Sequence, residues 1–167
     1  LVEVGGRSLL AWAIDAARSS SRATRVVVTT DDAEIADAAR AAGADVPFVR
    51  PADLAADDTP DLPVFQHALG WLEREEGYRP DLVVHLRPTS PARRAGLVDA
   101  AVAELEAHPE ATSLRSVSPS PISPWKVYDL DGAYLRPLLG SLQEERFNQP
   151  RQELPPAWLH DGVIDVV

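Results

Sequence analysis

The chain has 167 residues, a formal net charge of −10 and no cysteine. This length is sufficient for one domain with an apolar core, and the negative charge argues against a general surface for nucleic acid or anionic membranes, because like charges repel. The absence of cysteine excludes a disulfide framework and a thiolate metal site.

The sequence contains neither an apolar run long enough to span a membrane nor a basic segment followed by an apolar leader. We therefore expect a cytoplasmic protein with no membrane partner. The chain also lacks methionine and begins at Leu1 within a segment typical of a loop. We expect residues that complete a site to lie upstream of Leu1 or beyond Val167.

Helical and extended patterns alternate along the first two thirds of the chain. Apolar spacing predicts a first helix from the cap Ser8 to Arg18, with Leu9, Trp12, Ala13 and Ala16 on its buried stripe. Further helices are predicted over 32–42, from about 61 to 75, and from 97 to about 107. Apolar, β-branched runs predict strands over 25–30, 46–49, 81–86, 112–117 and 162–167.

Strands that alternate with helices are typical of α/β proteins, because a helix is the usual crossover between parallel strands. We therefore predict a single α/β domain over 1–167, with three layers and a mostly parallel twisted sheet. The proline- and serine-rich run 118–124 cannot continue a sheet or a helix and indicates a hinge. A β-hairpin around Asp131-Gly132 follows it, so we predict a small inserted subdomain over 119–161.

The loop after the predicted strand 81–86 is the first candidate site. Ligands of open parallel sheets bind beyond the carboxyl ends of the strands, where Arg87, Thr89 and Ser90 follow. An equally supported alternative is an ordinary turn in which Ser90 caps the next helix. Asp58 and Thr59 stand at the entrance of another predicted helix. His85 is expected to pack within its strand, so we predict no histidine base.

Four segments, in this order, resemble the acylneuraminate cytidylyltransferases, and the resemblance covers nearly the whole chain. They are 28–36 (VTTDDAEIA), 50–59 (RPADLAADDT), 86–91 (LRPTSP) and 151–155 (RQELP). The resemblance implies a nucleotide-diphospho-sugar transferase-like fold. It also implies transfer of CMP from CTP to an acidic nine-carbon sugar, sialic acid or a related nonulosonate, with release of pyrophosphate and help from Mg²⁺.

The resemblance also assigns roles to individual residues. Arg151 matches the family's essential arginine and is the catalytic candidate. The substrate-binding candidates are Arg50, Asp58, Thr59, Arg87, Thr89, Ser90, Lys126 and Gln152. Arg87 stands where many members have glutamine, which bears on the choice of acidic sugar because a guanidinium can form a bidentate pair with a carboxylate. Lys126 has an alternative reading as a surface lysine whose stem covers Trp125.

Two parts of the family pattern do not occur in this sequence. The basic, glycine-rich nucleotide loop would precede Leu1, and the metal-binding aspartates would follow Val167, so we expect no metal ligand within the chain. The family further implies a homodimer formed through the 119–161 subdomain. The alternatives are a non-catalytic domain that binds nucleotide sugars or serves assembly, and a nucleotidyltransferase for another acidic sugar.

Overall fold

The computed structural model describes residues 1–140 and 145–167 and divides the chain into two compact units. The core unit comprises Leu1–Arg115 and Gly162–Val167, and the hairpin unit comprises Ser116–Asp161. Of the predicted subdomain 119–161, residues 141–144 lie outside the described residues. None of the described helices is both long and apolar enough to cross a membrane.

The core unit contains four α-helices at the predicted places. A short hairpin of β1 (Glu3–Val4) and β2 (Arg7–Ser8) leads into the first of them. The helices are α1 (Leu9–Arg18), α2 (Ala33–Ala41), α3 (Asp61–Glu76) and α4 (Leu97–Glu106). Ser8 accepts from the Ala11 amide at 3.1 Å, which confirms the predicted cap of α1. Asp32 accepts from the Ile35 amide at 2.8 Å and caps α2.

The predicted buried stripe of α1 is wrong in part. Leu10, Ala13 and Ile14 are the buried residues of this helix, because Leu10 and Ile14 pack in one cluster with α2. Trp12 turns toward the preceding hairpin instead, where its indole Nε1 donates to the Val4 carbonyl at 2.9 Å.

The strand predictions hold less well than the helix predictions. Strands 25–30 and 46–49 are reduced to one parallel bridge between Val27 and Asp45, because Pro47 lacks the amide hydrogen that would extend the pairing. The predicted strand 81–86 is β3 (Val84–His85), and 112–117 becomes β4 (Leu114–Pro119). Two 3₁₀ turns also occur, Ala52–Leu54 here and Pro124–Lys126 in the hairpin unit.

The hairpin unit contains the predicted hairpin, formed by β5 (Tyr128–Asp131) and β6 (Tyr134–Pro137) in antiparallel register. Gly132, with φ of +61°, provides the left-handed residue of its turn. Two 3₁₀ turns follow, Arg146–Asn148 and Arg151–Glu153. Leu154 is the one buried apolar residue among those described in this unit.

The last strand, β7 (Trp158–Val166), begins in the hairpin unit and ends in the core unit. The sheet order is β3-β7-β4. β3 and β7 are antiparallel, with Val84 opposite Val166 and His85 opposite Asp165. Ile164 and Val166 of β7 pack with the apolar face of α4 in one buried cluster. The observed architecture is therefore a mixed α/β fold.

Candidate functional site

The loop after β3 is fixed by a network of ion pairs centred on Asp165. Arg87 donates through Nη1 to Asp165 Oδ2 and through Nη2 to Asp61 Oδ2, both at 2.7 Å. Arg115 donates from Nε to the other oxygen of Asp165 at 2.9 Å. The Asp165 side chain is only 9% exposed, so the network joins the loop, the first residue of α3 and the last strand at a largely buried carboxylate.

The charges of this network hold each other in the ionised state. The hydrogen bond to Asp165 raises the pKa of Arg87, against the opposing effect of burial, and the bond to Asp61 adds to the increase. Burial alone would raise the pKa of Asp165, but the bonds from Arg87 and Arg115 outweigh it and bring the pKa below its ordinary value. The Asp165 carboxylate is thus charged at neutral pH.

His85 lies beside this network, but the surroundings make it a poor proton carrier. Burial lowers the pKa of His85, and the positive charge of Arg87 lowers it further. Its ring packs edge-on against Phe65 at a centroid distance of 4.8 Å. The imidazole is therefore uncharged at neutral pH and packed, as the sequence predicted for this position.

The hydroxyl-bearing part of the loop is tied to the same end of β7. Ser90 Oγ donates to the Gly162 carbonyl at 3.2 Å, and Arg93 Nε donates to the Val163 carbonyl at 2.8 Å. Gly96 immediately precedes α4 and takes the cap position, so the alternative in which Ser90 caps this helix is wrong. Thr89 is exposed at the tip of the loop.

Arg50, Asp58 and Thr59 stand on a second loop system of the core unit. The Arg50 guanidinium donates to the carbonyl oxygen of Thr29 at 2.5 Å, while its Nε is buried without a partner among the described residues. Asp58 is exposed and Thr59 is half-buried. Arg50, Thr59 and Asp61 line one cavity of about 780 Å³. Through Asp61, this loop system is therefore joined to the loop that carries Arg87.

Lys126, Arg151 and Gln152 belong to the hairpin unit. The Arg151 guanidinium donates from Nη2 to the Pro121 carbonyl, and Lys126 Nζ donates to the Phe147 carbonyl at 3.0 Å. The indole of Trp125 is covered by Arg146, whose guanidinium carbon lies 4.6 Å from the ring centroid. Arg151 and Gln152 are both exposed. The Arg151 guanidinium therefore retains N–H groups that can donate hydrogen bonds to an anion.

Metal ligands do not converge in the part of the chain that the structure describes. No three His, Asp or Glu side chains of residues 1–140 and 145–167 are placed to hold a metal ion. Asp165, the most buried carboxylate of the site, already accepts from two guanidinium groups, and such surroundings repel a cation. The described residues do not fit Mg²⁺.

Sequence reasoning missed Asp61, Arg115 and Asp165. Asp165 had a usable signal, because it is the one charged residue in the apolar run 163–167 and a buried carboxylate needs a cationic or hydrogen-bonding partner. Asp61 and Arg115 had no such signal, since surface charges near helix and strand ends are common.

Comparison with known proteins supports the family resemblance, and three of the four sequence segments, those at 28–36, 50–59 and 86–91, lie within the matched residues. The sequence profile described as "Cytidylyltransferase" matches residues 1–120. A CMP-N,N'-diacetyllegionaminic acid synthase of Legionella pneumophila is 38% identical over 120 residues, which are 72% of this chain and 50% of that protein. A protein of the same name from Campylobacter jejuni is 41% identical over 71 residues, which are 42% of this chain and 29% of that protein.

The chain thus spans half the length, or less, of these curated relatives. The profile nevertheless covers more than two thirds of the chain and includes six of the nine candidate residues, those from Arg50 to Ser90. On this match, the chain belongs to the cytidylyltransferase family.

Proposed function

We propose that the protein transfers CMP from CTP to the anomeric hydroxyl of an acidic nine-carbon sugar, sialic acid or a related nonulosonate, and releases pyrophosphate. The observation that carries the proposal is the cytidylyltransferase profile over residues 1–120, joined by two relatives named as synthases of a CMP-activated acidic sugar. Since the chain spans at most half of those relatives, the activity is proposed for the whole protein, and we place it in the cytoplasm.

The reaction is an attack on the α-phosphorus of CTP, so catalysis consists mainly of positioning and charge stabilisation. Cations held in fixed positions suit this task. In our proposal Arg151 stabilises phosphate or sugar-carboxylate charge, and Arg50, Asp58 and Thr59 flank the nucleotide. Thr89 and Ser90 form the sugar loop, with Lys126 and Gln152 close to the sugar.

Arg87 has a more specific role in this proposal. Its Nη1 is held by the buried Asp165, whereas its Nη2 pairs with Asp61, whose side chain is 60% exposed. An incoming sugar carboxylate can replace Asp61 on Nη2 while Asp165 keeps the guanidinium in place. The bidentate capacity of arginine makes such an exchange possible, and glutamine has no equivalent.

Mg²⁺ enters the proposal only through the family resemblance. In the family pattern its carboxylate ligands follow the last strand, beyond Val167. No step assigned above depends on the metal.

We also propose a homodimer, with residues 119–161 as its subdomain. Several large apolar side chains of the hairpin unit are exposed, including Leu130 at 72% and Tyr134 at 77%. Exposed apolar patches of this kind are typical of association surfaces, and closed twofold dimers are the commonest homo-oligomers. Light scattering at micromolar concentration should give twice the protomer mass, and a monomer would contradict the proposal.

The activity is tested by incubating the protein with CTP, Mg²⁺ and each of a panel of nonulosonates, and measuring pyrophosphate and CMP-sugar. Pyrophosphate that requires both CTP and one acidic sugar is the expected result. Binding of a CMP-sugar without turnover of any panel member would contradict the proposal and favour a non-catalytic binding domain. Turnover of a different acidic sugar only would favour the other alternative.

A further inference from the structure

Arg115 is the one member of the Asp165 network that the proposed function leaves without a role. It lies on β4, whereas Arg87 follows β3, and these two strands flank β7 in the sheet. Asp165 of β7 receives one guanidinium from each neighbour, Arg87 on Oδ2 at 2.7 Å and Arg115 on Oδ1 at 2.9 Å. Two cations are therefore held close together on the two oxygens of a single carboxylate.

Arg115 uses only a small part of its hydrogen-bonding capacity in this network. A guanidinium is a rigid plane of N–H donors, in which Nε–H and one Nη–H lie parallel along the same edge. Only the Nε of Arg115 donates among the described residues, and the second oxygen of Asp165 is occupied by Arg87 Nη1. The Arg115 side chain is 61% exposed. Its Nη groups can thus donate to a ligand that arrives from solvent.

The positive charge around Asp165 exceeds the negative charge. Arg93 adds a third guanidinium, which donates to the Val163 and Arg87 carbonyls at 2.8 and 2.6 Å. Its Nη1 is buried without a hydrogen-bond partner among the described residues. Three guanidinium groups therefore accompany only two carboxylates, Asp61 and Asp165, in a chain whose formal net charge is −10. Such a local excess of positive charge attracts an anion.

One of the two carboxylates can leave the network. Asp61 is 60% exposed and is bound through Arg87 Nη2, whereas Asp165 is 9% exposed and is bound by two guanidinium groups. An anion that replaces Asp61 on Arg87 leaves the bond between Arg87 and Asp165 intact. The position that it takes is filled in this structure by a carboxylate, which is the group that an acidic sugar carries.

We propose that Arg115 is the second arm of a carboxylate clamp, in which the acid group of the sugar bridges Arg87 Nη2 and an Nη group of Arg115 while Asp165 holds both guanidinium groups. This inference rests on the proposed function and names the residues that select acidic sugars over neutral ones. The two oxygens of the sugar carboxylate suit one charge-assisted hydrogen bond from each arginine. Arg115 is thus a substrate-binding residue and takes no part in bond formation at phosphorus.

The test measures the binding of sialic acid and of its C1-carboxamide to the whole protein by calorimetry, with saturating CDP in place of CTP. CDP has no pyrophosphate to release, so binding is measured without turnover. The unaltered protein should bind the acid about tenfold or more tightly than the amide. Arg115→Gln should weaken binding of the acid about tenfold, the ratio that corresponds to one lost hydrogen bond between charged groups, and should leave binding of the amide unchanged.

Arg40→Gln is the matched control for Arg115→Gln. Arg40 is a 51% exposed arginine of the same unit and pairs with one carboxylate, that of Asp37 on α2. Its replacement should leave both affinities unchanged. Equal weakening of acid and amide by Arg115→Gln would overturn the proposal, because Arg115 would then only shape the site. Weakened binding of CDP with unchanged binding of the acid would also overturn it, because Arg115 would then serve the nucleotide phosphates.

Asp61→Asn provides a second readout with the opposite sign. The substitution removes the charge that competes for Arg87 Nη2, so the acid should bind several-fold more tightly and the amide should not. Loss of acid affinity in Asp61→Asn would contradict the exchange at Arg87, and with it the clamp. Asp61 and Arg115 both have exposed side chains, and melting temperatures of the two variants show that they remain folded.

Binding and turnover test different statements, because the calorimetry requires no chemical step. Absence of CMP transfer to every sugar of the panel contradicts the proposed function, and the affinities for acid and amide still decide the clamp. Turnover by a protein whose affinity for the acid is the same with and without Arg115→Gln contradicts the clamp alone. An unaltered protein that binds neither the acid nor the amide also overturns the clamp.

Discussion

Arg87 and Asp165 lie 78 residues apart in the chain, yet their side chains form a 2.7 Å hydrogen bond where the β3 loop meets the last strand. The same guanidinium reaches Asp61 at the start of α3. One arginine thus joins three segments of the core unit and fixes the loop that carries Thr89 and Ser90. Its contribution to stability and its proposed contribution to substrate binding can be separated by substitution.

Replacing Arg87 with glutamine, the residue found in many family members, should lower the free energy of unfolding by about 2 kcal/mol, the usual size of a lost charged hydrogen bond. Glutamine can reach one carboxylate but cannot bridge two as an ion pair. Urea denaturation measures the loss. Arg94→Gln is the matched control, because Arg94 is exposed on the same loop; an equal loss in both variants would show that Arg87 has no special role.

The low pKa of Asp165 predicts a pH dependence of stability. The unfolded carboxyl has a pKa of about 3.9, and the folded one lies lower because Arg87 and Arg115 outweigh burial. The unfolded chain therefore binds the proton first as the pH falls, and the contribution of Asp165 is present above the unfolded pKa and is lost as the pH falls through the lower, folded pKa. Asp165→Asn should cost about 2 kcal/mol at pH 7 and progressively less as the pH falls below about 3.9.

Chemical denaturation at a series of pH values checks this dependence. Asp81→Asn, at an exposed position ahead of β3, serves as the control and should change stability little at any pH. A cost of Asp165→Asn that stays constant from pH 7 to pH 3 would show that packing, not ionisation, determines its effect.

The helices were predictable because their signals are local. Ser8 and Asp32 cap helices within three residues of themselves, and the apolar spacing of α3 and α4 lies within each segment. Strands depend on partners elsewhere in the chain. The run 25–30 has the expected apolar sequence, but its pairing is limited to the Val27–Asp45 bridge, because Pro47 has no amide hydrogen to extend it.

The candidate site likewise has features with a local sequence signal and contacts that depend on residues far apart in the chain. The Arg87 loop could be located from its position after an apolar run, whereas its partners could not. Asp61 and Asp165 are brought to Arg87 by the packing of α3 and β7, and no local pattern encodes a pair 78 residues apart. The sequence around Ser90 allowed either a helix cap or a site residue, and only the structure shows that Gly96 takes the cap position of α4.

Asp31 and Asp32 offer a clean test of helix capping. Asp32 accepts the Ile35 amide at 2.8 Å, whereas its neighbour Asp31 is exposed and precedes the cap position. Asp32→Ala should cost about 1 kcal/mol of unfolding free energy, and Asp31→Ala should cost little. Thermal denaturation of both variants measures the difference. Equal melting temperatures would show that the α2 cap adds no stability.

Gly162 and Gly70 should respond in opposite directions to alanine. Gly162 has φ of +68° at the point where β7 meets Ser90 and Arg87, so Gly162→Ala should cost about 1–2 kcal/mol through backbone strain. Gly70 lies inside α3, and an added Cβ would meet only the flexible end of Arg74. Gly70→Ala should therefore stabilise the protein by up to about 1 kcal/mol. Destabilisation by both variants would show that Arg74 cannot move aside.

Arg151 provides the sharpest test of the proposed activity. Its side chain is exposed and its single described bond is to a backbone carbonyl, that of Pro121, so Arg151→Ala should leave the melting temperature nearly unchanged. If its remaining donors stabilise phosphate charge in the transition state, kcat for CMP transfer should fall by about a hundredfold or more. Arg151→Lys should recover only part of this loss, because an ammonium lacks the planar fork.

Arg136→Ala is the matched control for this prediction, since Arg136 is an exposed arginine on β6 of the same unit, 71% exposed and paired with Asp131. It should retain full activity. If Arg151→Ala and Arg136→Ala reduce kcat equally, the loss reflects the general charge of the hairpin unit and Arg151 has no catalytic role. If Arg151→Ala raises KM alone, the residue binds ground state and transition state equally well.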